Sequence, residues 1–174
     1  MAFVFTDLNE NTRKLMKDEV QLDISAGRLY LSPRLNLRGR EHYASLLLGA
    51  IGTGGELALA ASLRQGYLEA LETRHRDGKT FSAKVPENAP EMLAEGEFNR
   101  FYIRALCLRA TSEGKQLEIY RAKSVMQPRP DSQQKIGMMV SPTVLLADLR
   151  ANPGVDTALG LPSGPNSGLS VRLK

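Results

Sequence analysis

The sequence predicts an α+β fold: four to five helices around one long central helix at about 89–113, packed with a small, mainly antiparallel sheet. Three observations lead there. Several segments carry apolar residues at helical spacing between capping residues. One stretch, Phe98 to Ala110, is apolar on nearly every helical face and so must lie at the centre. Short alternating segments bounded by Gly, Pro or Asp-Gly supply the strands.

Taken in order, Asp7 and Glu10 form a capping-box pattern opening a first helix, with Leu8, Leu15, Met16, Val20 and Ile24 as its apolar stripe and Gly27 as its stop. Leu29-Tyr30-Leu31 reads as a short extended piece ended by Ser32-Pro33. A second helix follows Asn36, with Leu37, Ala44, Leu47, Leu48 and Ile51 on one face. Thr53 and Glu56 mark a third, burying Leu57, Ala60, Ala61 and Leu63 and closing at Gly66. Residues 67–85 hold competing signals, since Leu68 to Glu72 favours helix while Asp77-Gly78 is a hairpin turn and Lys79 to Val85 alternates; the turn decides for a hairpin. Asn88 and Pro90 open the long helix and Gly114 ends it. Leu117 to Lys123 is a strand, Gln127-Pro-Arg-Pro-Asp an extended loop, and Ser141-Pro142 the start of a short helix through Arg150. A Gly/Pro/Ser-rich loop at 160–168 precedes a strand at Leu169–Leu173, which pairs with its own sheet or, alternatively, a neighbouring subunit's. The sheet is expected from residues near 29–31, 72–85, 117–123 and 169–173, and residues 1–174 form one domain with no internal repeat.

Composition excludes more than it identifies. At 42% hydrophobic and 24% charged the chain is close to the globular average, so wholesale disorder is not expected. The longest mainly apolar stretch, Phe101 to Ala110, is interrupted by Arg104 and Arg109 and is far short of the roughly 20 residues of a membrane helix. The first residues lack the pattern of a secretory signal. A lone cysteine, Cys107, cannot form an internal disulfide, which suits a reducing compartment and a cytoplasmic location. The net charge of +4 is too small by itself to indicate nucleic-acid binding, but its distribution is uneven. Arg28, Arg34, Arg38 and Arg40 lie in a stretch without an acid, residues 97–129 hold a second basic excess, and Glu87, Glu91, Glu95 and Glu97 form an acidic run.

Candidate chemistry is sparse. Glu97, Arg100 and Arg104 fall at i, i+3 and i+7 on the central helix, so their side chains share one line, with Asn99 beside them. Charges on a buried helix must be paired or bind something charged. Glu97, Arg100 and Arg104 therefore form an internal ion-pair ladder or, with Asn99, an anion-binding cleft. Gly52 to Gly55 lacks the Lys-Ser/Thr of a phosphate-binding loop. Glu113-Gly-Lys115 and the segment Glu118 to Lys123 lack the arrangement of metal-dependent nucleases, in which an Asp and a Glu-x-Lys are carried together on strands. His42, His75 and Cys107 are too scattered to make a metal ligand set, so no metal or cofactor is expected, and Cys107 reads as core filling.

The functional expectation is a non-catalytic interaction or assembly protein, possibly self-associating, because no catalytic set is visible and the separate acidic and basic segments suit complementary contacts. The alternative is a nucleic-acid or polyanion binder using Arg34, Arg38, Arg40, Arg121, Lys123 and Arg129, and the third is an enzyme of unfamiliar type. The partner is then the chain itself, another protein or nucleic acid, and not a membrane.

Overall fold

A computed structural model describes residues 2–155, 159 and 167–174. In chain order they form α1 (Glu10–Ser25), α2 (Leu37–Thr53), α3 (Glu56–Leu63), β1 (Leu71–Arg76), β2 (Lys79–Lys84), α4 (Ala89–Glu113), β3 (Leu117–Arg121), α5 (Pro130–Gln134), β4 (Met139–Val140), α6 (Pro142–Ala151) and β5 (Leu169–Leu173). The fold is α+β, with α4 as its axis and α1, α3, α6 and β5 packed around it. None of the helices described is long and apolar enough to cross a membrane.

The centre of the molecule is α4 because its apolar residues fall on nearly every helical face. Ala94, Phe98, Phe101, Tyr102, Ile103, Ala105, Leu106, Cys107 and Ala110 are all buried, so neighbours must cover it all round. Pro90 fits its first turn, where a missing N–H costs nothing, and Gly114 ends it in the left-handed conformation at φ 64°. The covering helices are amphipathic. In α1, Met16 and Val20 are fully buried, and in α2 Tyr43, Leu47 and Ile51 are.

Two antiparallel sheets form rather than one. Strands β4, β3 and β5 make a three-stranded sheet, and β1 and β2 pair only with each other. Leu29 to Leu31 joins neither, and the ring of Tyr30 lies against Gly154, just past α6. The third strand of the larger sheet is Met139–Val140, opposite Glu118 and Leu117. In β5, Leu169 and Val171 are buried, and the strand pairs with β3 of its own chain over Leu117↔Leu173 to Arg121↔Leu169. Side chains engage two backbone groups of β5: Leu173 N–H donates to Asp7 Oδ2 at 3.1 Å, and Asn99 Nδ2 donates to the Leu169 carbonyl at 2.9 Å. That arrangement is the intramolecular pairing, with the β5 edge that faces β3 used within the chain. Most of the 160–168 loop lies outside the described residues.

Local differences have local causes. The N-cap of α1 is Asn9, whose Oδ1 accepts from Thr12 N–H at 3.0 Å, because Asp7 is drawn to β5. The α3 helix starts at Gly55 instead of Thr53, which turns Leu59 inward and leaves Leu57 and Ala61 exposed; Glu56 accepts from Phe3 N–H at 2.9 Å. Leu37, at the first position of α2, is also exposed. The prolines at 128 and 130 hold Gln127 to Arg129 out of helix, yet Pro130 then serves as the first residue of α5, a sixth helix that the extended-loop expectation omits.

Candidate functional site

The polar line of α4 is built into the fold, and its members point to different partners. Arg104 is almost completely buried. Its Nε donates to Glu19 Oε2 at 2.7 Å, and its Nη1 and Nη2 donate to Asp23 Oδ2 and Oδ1 at 2.6 and 3.0 Å. Arg150 completes this cluster by donating to Glu19 Oε1 at 2.5 Å, giving two cations against two carboxylates. Arg100 instead turns towards the end of α6. Its Nε donates to Glu97 Oε1 at 3.1 Å, and its Nη1 and Nη2 donate to the carbonyls of Asn152 and Val155 at 2.7 and 2.9 Å. Asn99 faces β5, donating to the Leu169 carbonyl and accepting from Ser170 Oγ at 2.7 Å. Glu97, Arg100 and Arg104 share a line on the helix and Asn99 lies off it, and the four do not converge on one ligand position.

Two polar atoms at this line have no hydrogen-bond partner among the described residues: Glu97 Oε2 and the Tyr43 hydroxyl, both buried. Burial pushes the Glu97 carboxyl above the ordinary carboxylate range, with the charge and hydrogen bond of Arg100 opposing only part of that. Burial, and then the neighbouring Glu97, likewise drive Tyr43 well above a normal phenol. A cavity of about 410 Å³ lies alongside, lined in part by Glu97, Arg100, Tyr30, Ser32 and Arg34. Gly154 shapes it: at φ +74° a side chain would be strained, and a Cβ there would come within 2.3 Å of the Tyr30 ring.

A raised carboxyl carries a testable sign. Folded Glu97 holds its proton more tightly than the unfolded chain does, so stability falls as pH rises from the ordinary carboxylate value through the raised one. Glu97→Gln, which mimics the neutral form, is expected to remain folded and to lose that decline. Urea denaturation at pH 5 and pH 8 checks it; an unchanged pH dependence in the variant would assign the decline to other groups.

Sequence reasoning missed the partners of Arg104. The signal was present: Met16, Glu19, Val20 and Asp23 stand at i, i+3, i+4 and i+7, so both carboxylates are in phase with the buried stripe of α1. Cys107 is buried and its thiol is pushed up to about 12, mainly by burial, which removes it as a nucleophile at neutral pH. Among the described residues no group of three or more His, Cys, Asp or Glu is placed to hold a metal ion.

The basic candidates divide between two regions. Arg38 stacks over the Tyr67 ring with its guanidinium carbon 4.5 Å from the centroid, and Arg40 Nε donates to the Leu35 carbonyl at 3.2 Å. Arg121 is held by the Ser167 carbonyl, Ser132 and Gln133, and Lys123 pairs with Glu95. The Arg129 carbonyl accepts from Ser132 Oγ at the start of α5. Arg34 stands apart from these because it leads out of the body: its Nε donates to Glu72 Oε2 at 2.6 Å, at the base of the β1–β2 hairpin.

That hairpin is the most exposed element described. Each strand has six residues, and only Glu72 and Ala83 are even half-buried. Asp77 and Gly78 form its tip at φ 50° and 73°, the positive values that a two-residue turn between antiparallel strands requires. A two-stranded ribbon with no covered face gains almost nothing from burial, so it is an arm on the fold rather than part of the core. Compared with known proteins, the chain matches no family model, no curated protein and no solved structure, so the geometry of the arm and of the α4 line carries the functional argument.

Proposed function

We propose that this chain is a non-catalytic interaction protein and that the β1–β2 hairpin is its contact arm. The observation that carries this is the arm's exposure: two six-residue strands whose outer edges pair with no other described strand. Free edges and two uncovered faces are a ready surface for another macromolecule, and they are a liability unless used or guarded. The polar residues of α4 support the same reading, because the donors of Arg100 and Arg104 are spent on Glu97, Glu19, Asp23 and two backbone carbonyls rather than aimed at a substrate. The C-terminal strand is the less suitable contact element, since Leu169 and Val171 are buried and it already pairs with β3 along five residues.

The test is to shorten the arm, joining Leu71 to Lys84 through Asn-Gly in place of residues 72–83. Because the arm adds little to the core, stability should change by no more than about 1 kcal/mol in denaturant titration. Purified gently at low salt, the intact chain is expected to elute with a mass by light scattering above its own, and the shortened chain at its own mass. Equal elution of both at the mass of one chain, or unfolding of the shortened chain, would refute the proposal.

A further inference from the structure

Resting on the reading of the hairpin as a contact arm, we infer that one face of it binds a nucleic-acid backbone, through Arg74, Arg76 and Lys79, with Phe81 stacking on or wedging between bases. The strand register puts these residues together. Glu72, Arg74 and Arg76 alternate onto one face of β1, and the residues directly opposite them on β2 are Ala83, Phe81 and Lys79. The other face carries Leu71, Thr73 and His75 against Lys84, Ser82 and Thr80, with one cation, so the charge is concentrated on the Phe81 side.

Three features of that face point to an external anion. Arg76 and Lys79 are directly opposite at the tip, and like charges in such a pair repel. Internal compensation there is slight: Arg76 meets only the exposed Asp77, at 3.5 Å, and Lys79 has no ion pair among the described residues. At the base, Arg74 and Arg34 share Glu72 at 2.6 Å each, so one carboxylate serves two guanidinium groups and the basic face continues into the body at Arg34. The third feature is Phe81, an exposed aromatic side chain directly opposite Arg74. Soluble surfaces do not need it, whereas single-stranded and groove-binding proteins use such rings to stack on bases or wedge between them. The dimensions also match: a two-stranded ribbon enters a duplex major groove about 12 Å wide, and six residues extend about 20 Å.

The probe is fluorescein-labelled nucleic acid, as a 20-base-pair DNA duplex, the same duplex in RNA and a 20-nucleotide single strand. Anisotropy is read against the full chain, freed of lysate nucleic acid by nuclease and high salt. At least one probe is expected to bind at 50 mM NaCl. For duplex DNA the triple variant Arg74→Gln, Arg76→Gln, Lys79→Gln should reduce the log–log salt slope by about 2.7, so that its affinity changes about fortyfold less between 50 and 200 mM than the parent's. Phe81→Ala should weaken binding roughly fivefold to a hundredfold while leaving the slope unchanged. Lys84→Gln, on the opposite face, should alter neither beyond the effect of one distant charge. All these positions are exposed, so circular dichroism should show every variant folded. No binding of any probe at 50 mM NaCl, or a triple variant with the parent's affinity and slope, would overturn the inference. If arm-dependent mass in light scattering survives nuclease while no probe binds, the partner is a protein: the nucleic-acid assignment falls and the contact-arm reading stands.

Discussion

Arg104→Ala should cost about 3–5 kcal/mol, enough to unfold a domain of ordinary stability or to leave it barely folded at room temperature. The reason is what the substitution leaves behind. Glu19 and Asp23 are buried on α1, and Arg104 supplies three of the hydrogen bonds that hold their carboxylates there. Arg150 can keep only Glu19, at 2.5 Å, so Asp23 is left as a buried charge without its cation. Arg104→Lys should not rescue, because an ammonium cannot reproduce the planar fork that meets two carboxylates at once. Arg150→Ala, at the solvent-facing end of the cluster, should cost only about 1 kcal/mol. Burial pushes the Glu19 carboxyl up, but hydrogen bonds and charge from Arg150 and Arg104 outweigh it and bring the net value below the ordinary one. Its contribution to stability is therefore complete above the ordinary carboxylate range and disappears as pH falls through the lowered value. Acid titration should unfold the Arg104 variant at a higher pH than the parent. Equal denaturation midpoints for the two proteins would show that the cluster is not holding α1 to α4.

Deleting residues 169–174 should have an effect of similar size. Leu169 and Val171 are 2% and 0% exposed, and burying such side chains is worth roughly 1.5–3 kcal/mol each. The deletion also strips β3 of its partner along five residue pairs and leaves Asn99 and Asp7 without the backbone groups they bond. The truncated chain is expected to be insoluble, or to show no cooperative unfolding transition. Leu169→Ala, which keeps the strand, should remain folded and lose about 2–5 kcal/mol. A truncated protein with an unchanged melting temperature would make the strand a peripheral extension.

How much was legible depends on whether the deciding interactions are near in sequence. The long helix could be read to its last residue because Pro90, the all-round apolar stretch and Gly114 are local signals that tertiary contacts reinforce. The hairpin was legible from Asp77-Gly78 alone, although helix-favouring residues precede it. Capping was less secure. Asp7 has the right chemistry to cap α1, but the strand 166 residues away competes for it, and Asn9 takes its place. Leu29 to Leu31 has the propensity of a strand, but it pairs with no strand among the described residues.

For the candidate sites the division is sharper. By itself the sequence determined that Glu97, Arg100 and Arg104 share a line on a buried helix, because helical periodicity is a local property. Only the tertiary structure decided that Arg104 meets Glu19 and Asp23, that Arg100 meets Glu97 and the end of α6, and that one oxygen of Glu97 has no partner among the described residues. The arm shows the same split. Its turn is written in Asp77-Gly78 and its alternation in the second strand, yet its solvent exposure follows from which surfaces the rest of the chain covers. Burial is the outcome of long-range packing, and burial settles whether a charge is a structural pair or a surface offered to a partner.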